Sequence, residues 1–168
     1  MKTAQMQERF QTLLDEHKKI VYKISNSYCA NRDDRDDLAQ EIIVQLWRSF
    51  GTFDERLRFS TWMYRVALNV AISFSRSESA RAQRVVSAGE RLLETSDETR
   101  HEPEDLILLN QFIQTLDPLN KALILLYLEG YDYREIADVF GITETNVATK
   151  ISRLKSTMKQ HFSTPGAT

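Results

Sequence analysis

The sequence is poor in residues that make turns and cross-links. Its 168 residues include 5 glycines, 3 prolines and one cysteine, Cys29. A many-stranded sheet needs a turn signal about every 8 to 12 residues, so this scarcity favours long helices. A single cysteine cannot form an internal disulfide framework and is typical of a reducing compartment. We therefore expect a cytoplasmic protein.

Long apolar runs and a strong excess of one charge are also missing. No stretch approaches 18 apolar residues and the N-terminus is polar, which predicts neither a membrane span nor a signal peptide. The net charge of -2 gives no overall basic signature, so nucleic-acid binding would have to come from local clusters. Hydrophobic residues, at 42%, still suffice for a buried core.

No pattern of a catalytic or metal site is found. The histidines are scattered, Cys29 has no paired base and no glycine-rich phosphate loop occurs, so we expect no enzyme, no catalytic residue and no cofactor. The acidic segment 31–37 invites comparison with a calcium loop. Counted from Asp33, however, that loop lacks its glycine, and Val44 replaces the bidentate glutamate. We interpret the segment as the start of a helix.

The apolar spacing predicts an all-α first module over residues 5–77. One amphipathic helix covers about 5–29, with His17 as a packing residue, and a second covers about 35–49. Ser60 is the predicted N-cap of a third helix, which extends through Ser75. This third helix is predicted to bury Met63, Val66, Ala67, Val70 and Phe74.

The apolar rhythm weakens after the third helix. Residues 78–103 are rich in Ser, Thr, Glu and Arg, which predicts a flexible linker. Whether Leu92 and Leu93 form a short helix within this segment stays open. The fold class is therefore all-α, with two small helical domains joined by this linker.

The second module, 104–162, carries clear helix boundaries. Asp117 with Pro118 begins one helix, Asp132 with Glu135 forms a capping box for the next, and Thr143 caps the last. Ala137 and Gly141 have the spacing of a helix-turn-helix, with a small residue at the close approach and a glycine at the turn.

The last helix is predicted to pack through Val147, Ile151 and Leu154. Its polar residues then face outward, where Asn can hydrogen-bond to adenine, and Lys or Arg can bind phosphate or guanine. A merely solvated polar face is the alternative. The predicted DNA-binding residues are Thr143, Glu144, Thr145, Asn146, Thr149, Lys150, Arg153 and Lys155.

Two motifs in the first module carry a family resemblance. The sequence Asp-Leu-Ala-Gln-Glu at 37–41, followed by Trp47, and the sequence Phe-Ser-Thr-Trp-Met-Tyr-Arg-Val-Ala-Leu-Asn at 59–69 resemble regions of bacterial RNA polymerase sigma factors. With the linker and the helix-turn-helix, the chain resembles the extracytoplasmic-function (ECF) group of the sigma-70 family.

This resemblance implies a function in transcription initiation. The first module would be a sigma region 2-like domain of three helices, and the second a region 4-like domain that recognises the minus-35 element. Docking on the clamp helices of the largest subunit of core polymerase would involve Asp37, Leu38, Gln40, Glu41, Gln45 and Trp47. Capture and melting of the minus-10 element would involve Arg56, Arg58, Phe59, Ser60, Thr61, Trp62, Arg65, Asn69 and Arg76.

The residues themselves support part of this role. Aromatic side chains beside arginines can stack on unpaired bases and hold their phosphates, although at least one of Phe59, Trp62 and Tyr64 must belong to the core. Two departures from the family are evident. The loop 54–58, implied to hold a flipped base, is bulkier and more charged than usual, and Ala148 replaces a common basic residue.

Two other functions stay open at this point. A stand-alone helix-turn-helix regulator would bind a palindrome as a dimer, whereas a sigma factor should be monomeric and need core polymerase. A protein that sequesters a partner would leave the basic final helix unexplained. Core polymerase and promoter DNA are the expected partners, and similar families add an anti-sigma protein.

Overall fold

The computed structural model describes residues 2–85 and 103–163, with side chains described over 2–78 and 103–163. All regular structure in these residues is helical, which confirms the all-α prediction. The helices are α1 (Lys2–Tyr28), α2 (Arg32–Ser49), α3 (Phe59–Val85), α4 (Glu104–Gln114), α5 (Pro118–Leu128), α6 (Tyr133–Phe140) and α7 (Glu144–Ser163).

The chain divides into two compact units. Helices α1 to α3 form the first unit, and α4 to α7 form the second. Much of the predicted linker, and the short helix considered at Leu92 and Leu93, lie outside the described residues. Among the described helices, none combines the length and apolar character that crossing a membrane requires.

The first unit is a three-helix bundle around a continuous apolar core. Burial of each large aliphatic side chain contributes about 1.5–3 kcal/mol, so this core is the main source of stability. All three helices contribute to it. The fully buried side chains include Ile24, Leu38, Ile42, Leu46, Met63 and Leu68.

The acidic segment forms the first turn of α2, as predicted. The Asn31 side chain accepts a hydrogen bond from the backbone N–H of Asp34 at 2.8 Å, and its amide donates to the Asp34 carboxylate at 2.7 Å. Carboxylates in a first turn also complement the helix dipole. In the parts of the chain that are described, no group of three or more His, Cys, Asp and Glu side chains could hold a metal ion.

The start and end of α3 differ from the prediction. The helix begins at Phe59, and the N–H of Trp62 donates to the carbonyl of Arg58 at 3.2 Å, so Ser60 lies inside the first turn rather than at the cap. The helix continues to Val85, ten residues beyond Ser75. Helix formation needs no buried stripe at every turn, so the loss of apolar rhythm did not mark the end.

The buried side of α3 also differs in part from the prediction. Met63 and Ala67 are buried as expected, but Val66, Val70 and Phe74 are only half-buried. They line a groove of about 620 Å³ between α3 and α2. This helix is apolar on two sides, so periodicity alone could not identify the side that packs against α1 and α2.

The second unit has the predicted caps. At the start of α5, which has a proline in its first turn, the Asp117 side chain accepts a hydrogen bond from the backbone N–H of Asn120. At the start of α6, Asp132 and Glu135 form a reciprocal capping box. Gly141 ends α6 with a φ of 65°, a left-handed conformation that favours glycine. These local signals fix the short α6–α7 connection, so the predicted helix-turn-helix is confirmed.

Candidate nucleic-acid interface

The outward face of α7 is polar over a buried apolar side. Val147, Ile151 and Leu154 are buried within the second unit. The half-buried Lys150 and a group of exposed residues lie on the remaining surface; the exposed ones are Thr143, Glu144, Thr145, Asn146, Thr149 and Arg153. The predicted orientation of these residues is therefore confirmed, while their contact with DNA stays a prediction.

Two threonines of this face also serve the helix. The hydroxyl of Thr143 accepts from the backbone N–H of Asn146 at 3.1 Å, as the predicted cap requires. The hydroxyl of Thr149 donates to the carbonyl of Thr145 at 3.0 Å. Because that proton is used within the helix, Thr149 can offer DNA an acceptor and a methyl group, and base donors must come from other side chains.

Lys155 lies at the edge of this outward face, close to Glu144. It stands nine positions after Asn146, which at about 100° per residue is about half a turn around the helix. Its ammonium lies 4.6 Å from the ring centroid of Tyr127, and the pKa of Lys155 is raised, chiefly by a hydrogen bond with Tyr127. The Lys155 ammonium therefore engages α5 within the unit, and we expect it to contribute less to DNA binding than the sequence predicted.

An aromatic cluster occupies one end of the first unit. Trp62 lies 5.4 Å from Phe59, 5.1 Å from Phe53 and 6.2 Å from Phe50, measured between ring centroids. Phe59 and Trp62 are only 7% and 9% exposed, and Tyr64 is buried as well. In this conformation their rings face protein, so the predicted base stacking is not available to Phe59 or Trp62.

His17 belongs to the edge of this cluster. Its Nδ1 lies 2.9 Å from the carbonyl oxygen of Leu13, and its ring centroid lies 5.1 Å from that of Phe59. This arrangement confirms the predicted packing role.

One side of α3 carries a stripe of exposed polar residues. Arg65, Asn69 and Arg76 are exposed, and the half-buried Thr61 precedes them. Steps of four, four and seven residues place all four on one side of the helix. Ser60 is half-buried beside them and Arg58 is exposed at the end of the preceding loop. The stripe could follow a nucleic-acid backbone, because it combines two positive charges with amide and hydroxyl groups.

The loop before α3 is held by two ion pairs. Arg56 donates to both carboxylate oxygens of Asp54, from Nε to Oδ1 at 3.0 Å and from Nη2 to Oδ2 at 2.8 Å. Arg9 of α1 pairs with Glu55. Hydrogen bonding from these arginines lowers the pKa of both carboxyl groups. Arg56, predicted to contact DNA, therefore has a neutralising partner inside the loop.

The predicted docking residues on α2 fall into two sets. Asp37, Gln40, Glu41 and Gln45 are exposed. Leu38 has no exposed surface, and Trp47 is half-buried with its ring 5.2 Å from that of Phe10. The first set and the accessible part of Trp47 offer a surface for a partner, while Leu38 builds the helix into the core.

Arg9 is the residue of this region that sequence analysis did not single out. It lies 46 positions before Glu55, so no local spacing links the two side chains. A lone arginine on an amphipathic helix has no distinguishing signal, and the contact emerges only from the tertiary packing of α1 beside the loop.

Comparison with known proteins identifies both units. The family model Sigma-70 region 2 matches residues 13–81, and the model Sigma-70, region 4 matches residues 106–158. An ECF RNA polymerase sigma factor of Bacillus subtilis (strain 168), SigX, is 24% identical over 166 residues, covering 94% of this chain and 85% of the relative. The ECF RNA polymerase sigma-E factor of Escherichia coli (strain K12) is 26% identical over 167 residues, covering 89% and 84%.

Two solved structures share the fold. The sigma factor RpoE from Bartonella quintana, solved in complex with the anti-sigma factor NepR, gives a TM-score of 0.72 at 16% identity and covers 94% of this chain and 99% of its own. CnrH, solved with the cytosolic domain of CnrY, gives 0.63 at 22% identity, covering 95% and 93%. Region 2 followed by region 4, together with ECF relatives that align over 89–94% of the chain, places this protein in the ECF group of the sigma-70 family of RNA polymerase sigma factors.

Proposed function

We propose that this sigma factor binds core RNA polymerase, directs it to specific promoters and takes part in opening them. The observation that carries the proposal is the presence, in one chain, of two different polar surfaces on two units. One is the recognition face of a helix-turn-helix, and the other is an exposed stripe and loop beside an aromatic cluster. Each suits a different form of DNA.

The second unit would recognise duplex DNA at the minus-35 element. The side chains of Asn146, Lys150 and Arg153 lie on the outward face of α7 and supply an amide and two cations. The first turn of α7 adds exposed backbone amides and the positive end of the helix dipole, both of which favour a phosphate. The helix would therefore enter the major groove with its N-terminal half.

The first unit would act at the minus-10 element. Arg65, Asn69 and Arg76 would follow the DNA backbone along α3, while loop 54–58 would hold a base of the opened strand. The buried aromatic rings have a supporting role in this proposal, because Phe53 and Phe59 fix the two ends of the loop against Trp62. Rigid support of this kind keeps a binding loop close to its productive geometry.

Docking on core polymerase would use the exposed side of α2. The acidic and amide side chains of Asp37, Gln40, Glu41 and Gln45 lie within three turns of this helix. Rim charges of this type contribute mainly to association rate and partner choice. Reversing Asp37 and Glu41 to lysine should therefore weaken the binding of core polymerase, and unchanged binding would contradict the docking assignment.

The partners and location follow from this role. The chain would catalyse no reaction itself, since polymerase supplies the chemistry, and it would act in the cytoplasm, where polymerase and promoters are found. RpoE of Bartonella quintana was solved in complex with the anti-sigma factor NepR, and CnrH in complex with the cytosolic domain of CnrY. We include an anti-sigma protein among the partners of this chain.

In vitro transcription tests the proposal directly. Purified protein is added to core polymerase and a genomic template library, and the transcript starts are mapped. We expect new starts that share a minus-35 and a minus-10 element at a constant spacing. A stand-alone regulator would instead give no new starts and would bind an inverted repeat as a dimer.

A further inference from the structure

The backbone of loop 54–58 is held in place near its first residues. Phe53, just before the loop, places its ring centroid 5.1 Å from Trp62 and 5.4 Å from Phe59. The N–H of Leu57 donates to the carbonyl of Asp54 at 3.0 Å, which closes a turn. Leu57 itself is 56% exposed at the tip. The backbone of the loop is thus set by a turn and an aromatic anchor.

The loop also carries two adjacent carboxylates on a surface that is proposed to approach DNA. A carboxylate beside phosphate is repulsive, and the repulsion weakens only when a cation is paired with it. Arg56 neutralises Asp54 from within the loop, and Arg9 neutralises Glu55 from α1. Both acids therefore face the solvent as ion pairs.

The position of Arg9 is determined by the core. Its neighbour Phe10 is 5% exposed and packs with ring centroids 5.2 Å from both Trp47 and Phe50. Phe50 in turn stacks at 6.1 Å on Phe53, which precedes the loop. The same aromatic cluster therefore supports the loop and the turn of α1 that carries Arg9.

We propose that Arg9 is a positioning residue for promoter opening, which acts through Glu55 by holding loop 54–58 in shape and masking a carboxylate that would repel the opened strand. This inference rests on the proposed function of the loop. It adds a residue of α1 to a site that the sequence placed between residues 54 and 76.

The energetics separate this role from a role in folding. The side chains of Arg9 and Glu55 are 50% and 64% exposed, and exposed ion pairs add little to the stability of a fold. Loss of Arg9 should therefore leave thermal unfolding unchanged. The loop geometry and the charge near the DNA should change instead, so the effect belongs to promoter opening and to base preference at the minus-10 element.

A double-mutant cycle in the assembled holoenzyme tests the proposal. The variants are Arg9→Ala, Glu55→Ala and the double replacement, and the measurement is the rate of open-complex formation on a promoter mapped with the wild-type protein. We expect Arg9→Ala to slow opening about two- to fivefold, the range set by a single exposed ion pair. In the Glu55→Ala background, the removal of Arg9 should have no further effect. The swapped pair Arg9→Glu with Glu55→Arg should restore most of the rate.

The control is Lys19→Ala, which removes another exposed cation from α1 and should leave opening unchanged. Opening by Arg9→Ala at the wild-type rate would overturn the inference. The inference would also fail if the removal of Arg9 slowed opening equally in the wild-type and Glu55→Ala backgrounds, because Arg9 would then contact DNA directly. If wild-type holoenzyme opens no promoter, the proposed function itself fails, which is a separate result.

Discussion

The two units use their large side chains in different ways. In the second unit, apolar residues such as Val147 and Ile151 are buried and the polar residues of α7 face outward, so core and candidate interface are separate sets. In the first unit, Phe59 and Trp62 occupy positions that the family resemblance assigns to DNA, yet both are buried. Here the core lies directly beneath the candidate interface and shapes it.

This difference has a physical origin. A helix-turn-helix can contact DNA through short polar side chains on one face of a helix, and such side chains do not form part of the apolar core. A surface for unpaired bases needs aromatic rings or a rigid loop, and rings are also the side chains that pack best. Substitutions on the outward face of α7 should therefore change function alone, whereas substitutions in the aromatic cluster of the first unit should change stability together with function.

Trp62→Ala should have the largest effect. Trp62 is buried against Phe50, Phe53 and Phe59, and loss of a buried aromatic side chain costs about 3–5 kcal/mol of unfolding free energy. Chemical denaturation of the variant measures this loss. Tyr22→Ala, a change at a side chain 57% exposed on α1, serves as the control and should cost little. A stable Trp62→Ala protein that fails only in promoter opening would erase the contrast between the units.

Arg153→Ala should weaken promoter binding by about 1–3 kcal/mol if its guanidinium contacts a base. Its side chain is exposed, so the melting temperature should not change. The measurement is the equilibrium binding of holoenzyme to a mapped promoter and to the same promoter with altered minus-35 bases. Lys159→Ala removes another exposed cation of α7, about 120° around the helix from Arg153 and nearer its C-terminal end, and should have a smaller effect. Equal losses in the two variants would argue against specific contact by Arg153.

Gly141→Ala should destabilise the protein by about 1–2 kcal/mol, because a side chain is strained at the left-handed φ of 65°. No atom lies within 4 Å of the added Cβ, so backbone strain is the sole cause expected. Thermal unfolding checks the prediction. A variant as stable as wild type would show that the α6–α7 turn can relax, which would weaken the argument that local signals fix this unit.

Lys155→Ala should have the smallest effect, and on a different property from Arg153→Ala. Because its ammonium engages Tyr127, the change should lower the thermal stability slightly while promoter binding stays within error. Paired measurements of melting temperature and promoter affinity distinguish the two properties. A loss of affinity without a change in melting temperature would instead support the predicted contact of Lys155 with DNA.

The success of sequence analysis follows the same division. Caps and turns depend on residues within four positions of one another, so Asp132, Gly141 and Thr143 were identified correctly. The outward face of α7 followed from one clear apolar stripe. The contact of Lys155 with Tyr127 was missed because the whole basic end of the helix was assigned to DNA without regard to its angular position.

In the first unit, the missing information is tertiary. Helix α3 has two apolar sides, and only the packing of α1 and α2 selects the side with Met63 over the side with Val70. The contact between Arg9 and Glu55 likewise joins distant parts of the chain. Family resemblance located regions 2 and 4 in the chain, but it did not show which aromatic side chains are covered.

Promoter binding with and without core polymerase tests the central claim most directly. Fluorescence anisotropy of a labelled promoter, mapped by transcription start, is measured with the purified chain, with core polymerase and with both. The account predicts specific binding only when both are present, with protection of the minus-35 and minus-10 elements. Specific binding by the chain alone, as a dimer on an inverted repeat and unaffected by core polymerase, would contradict it.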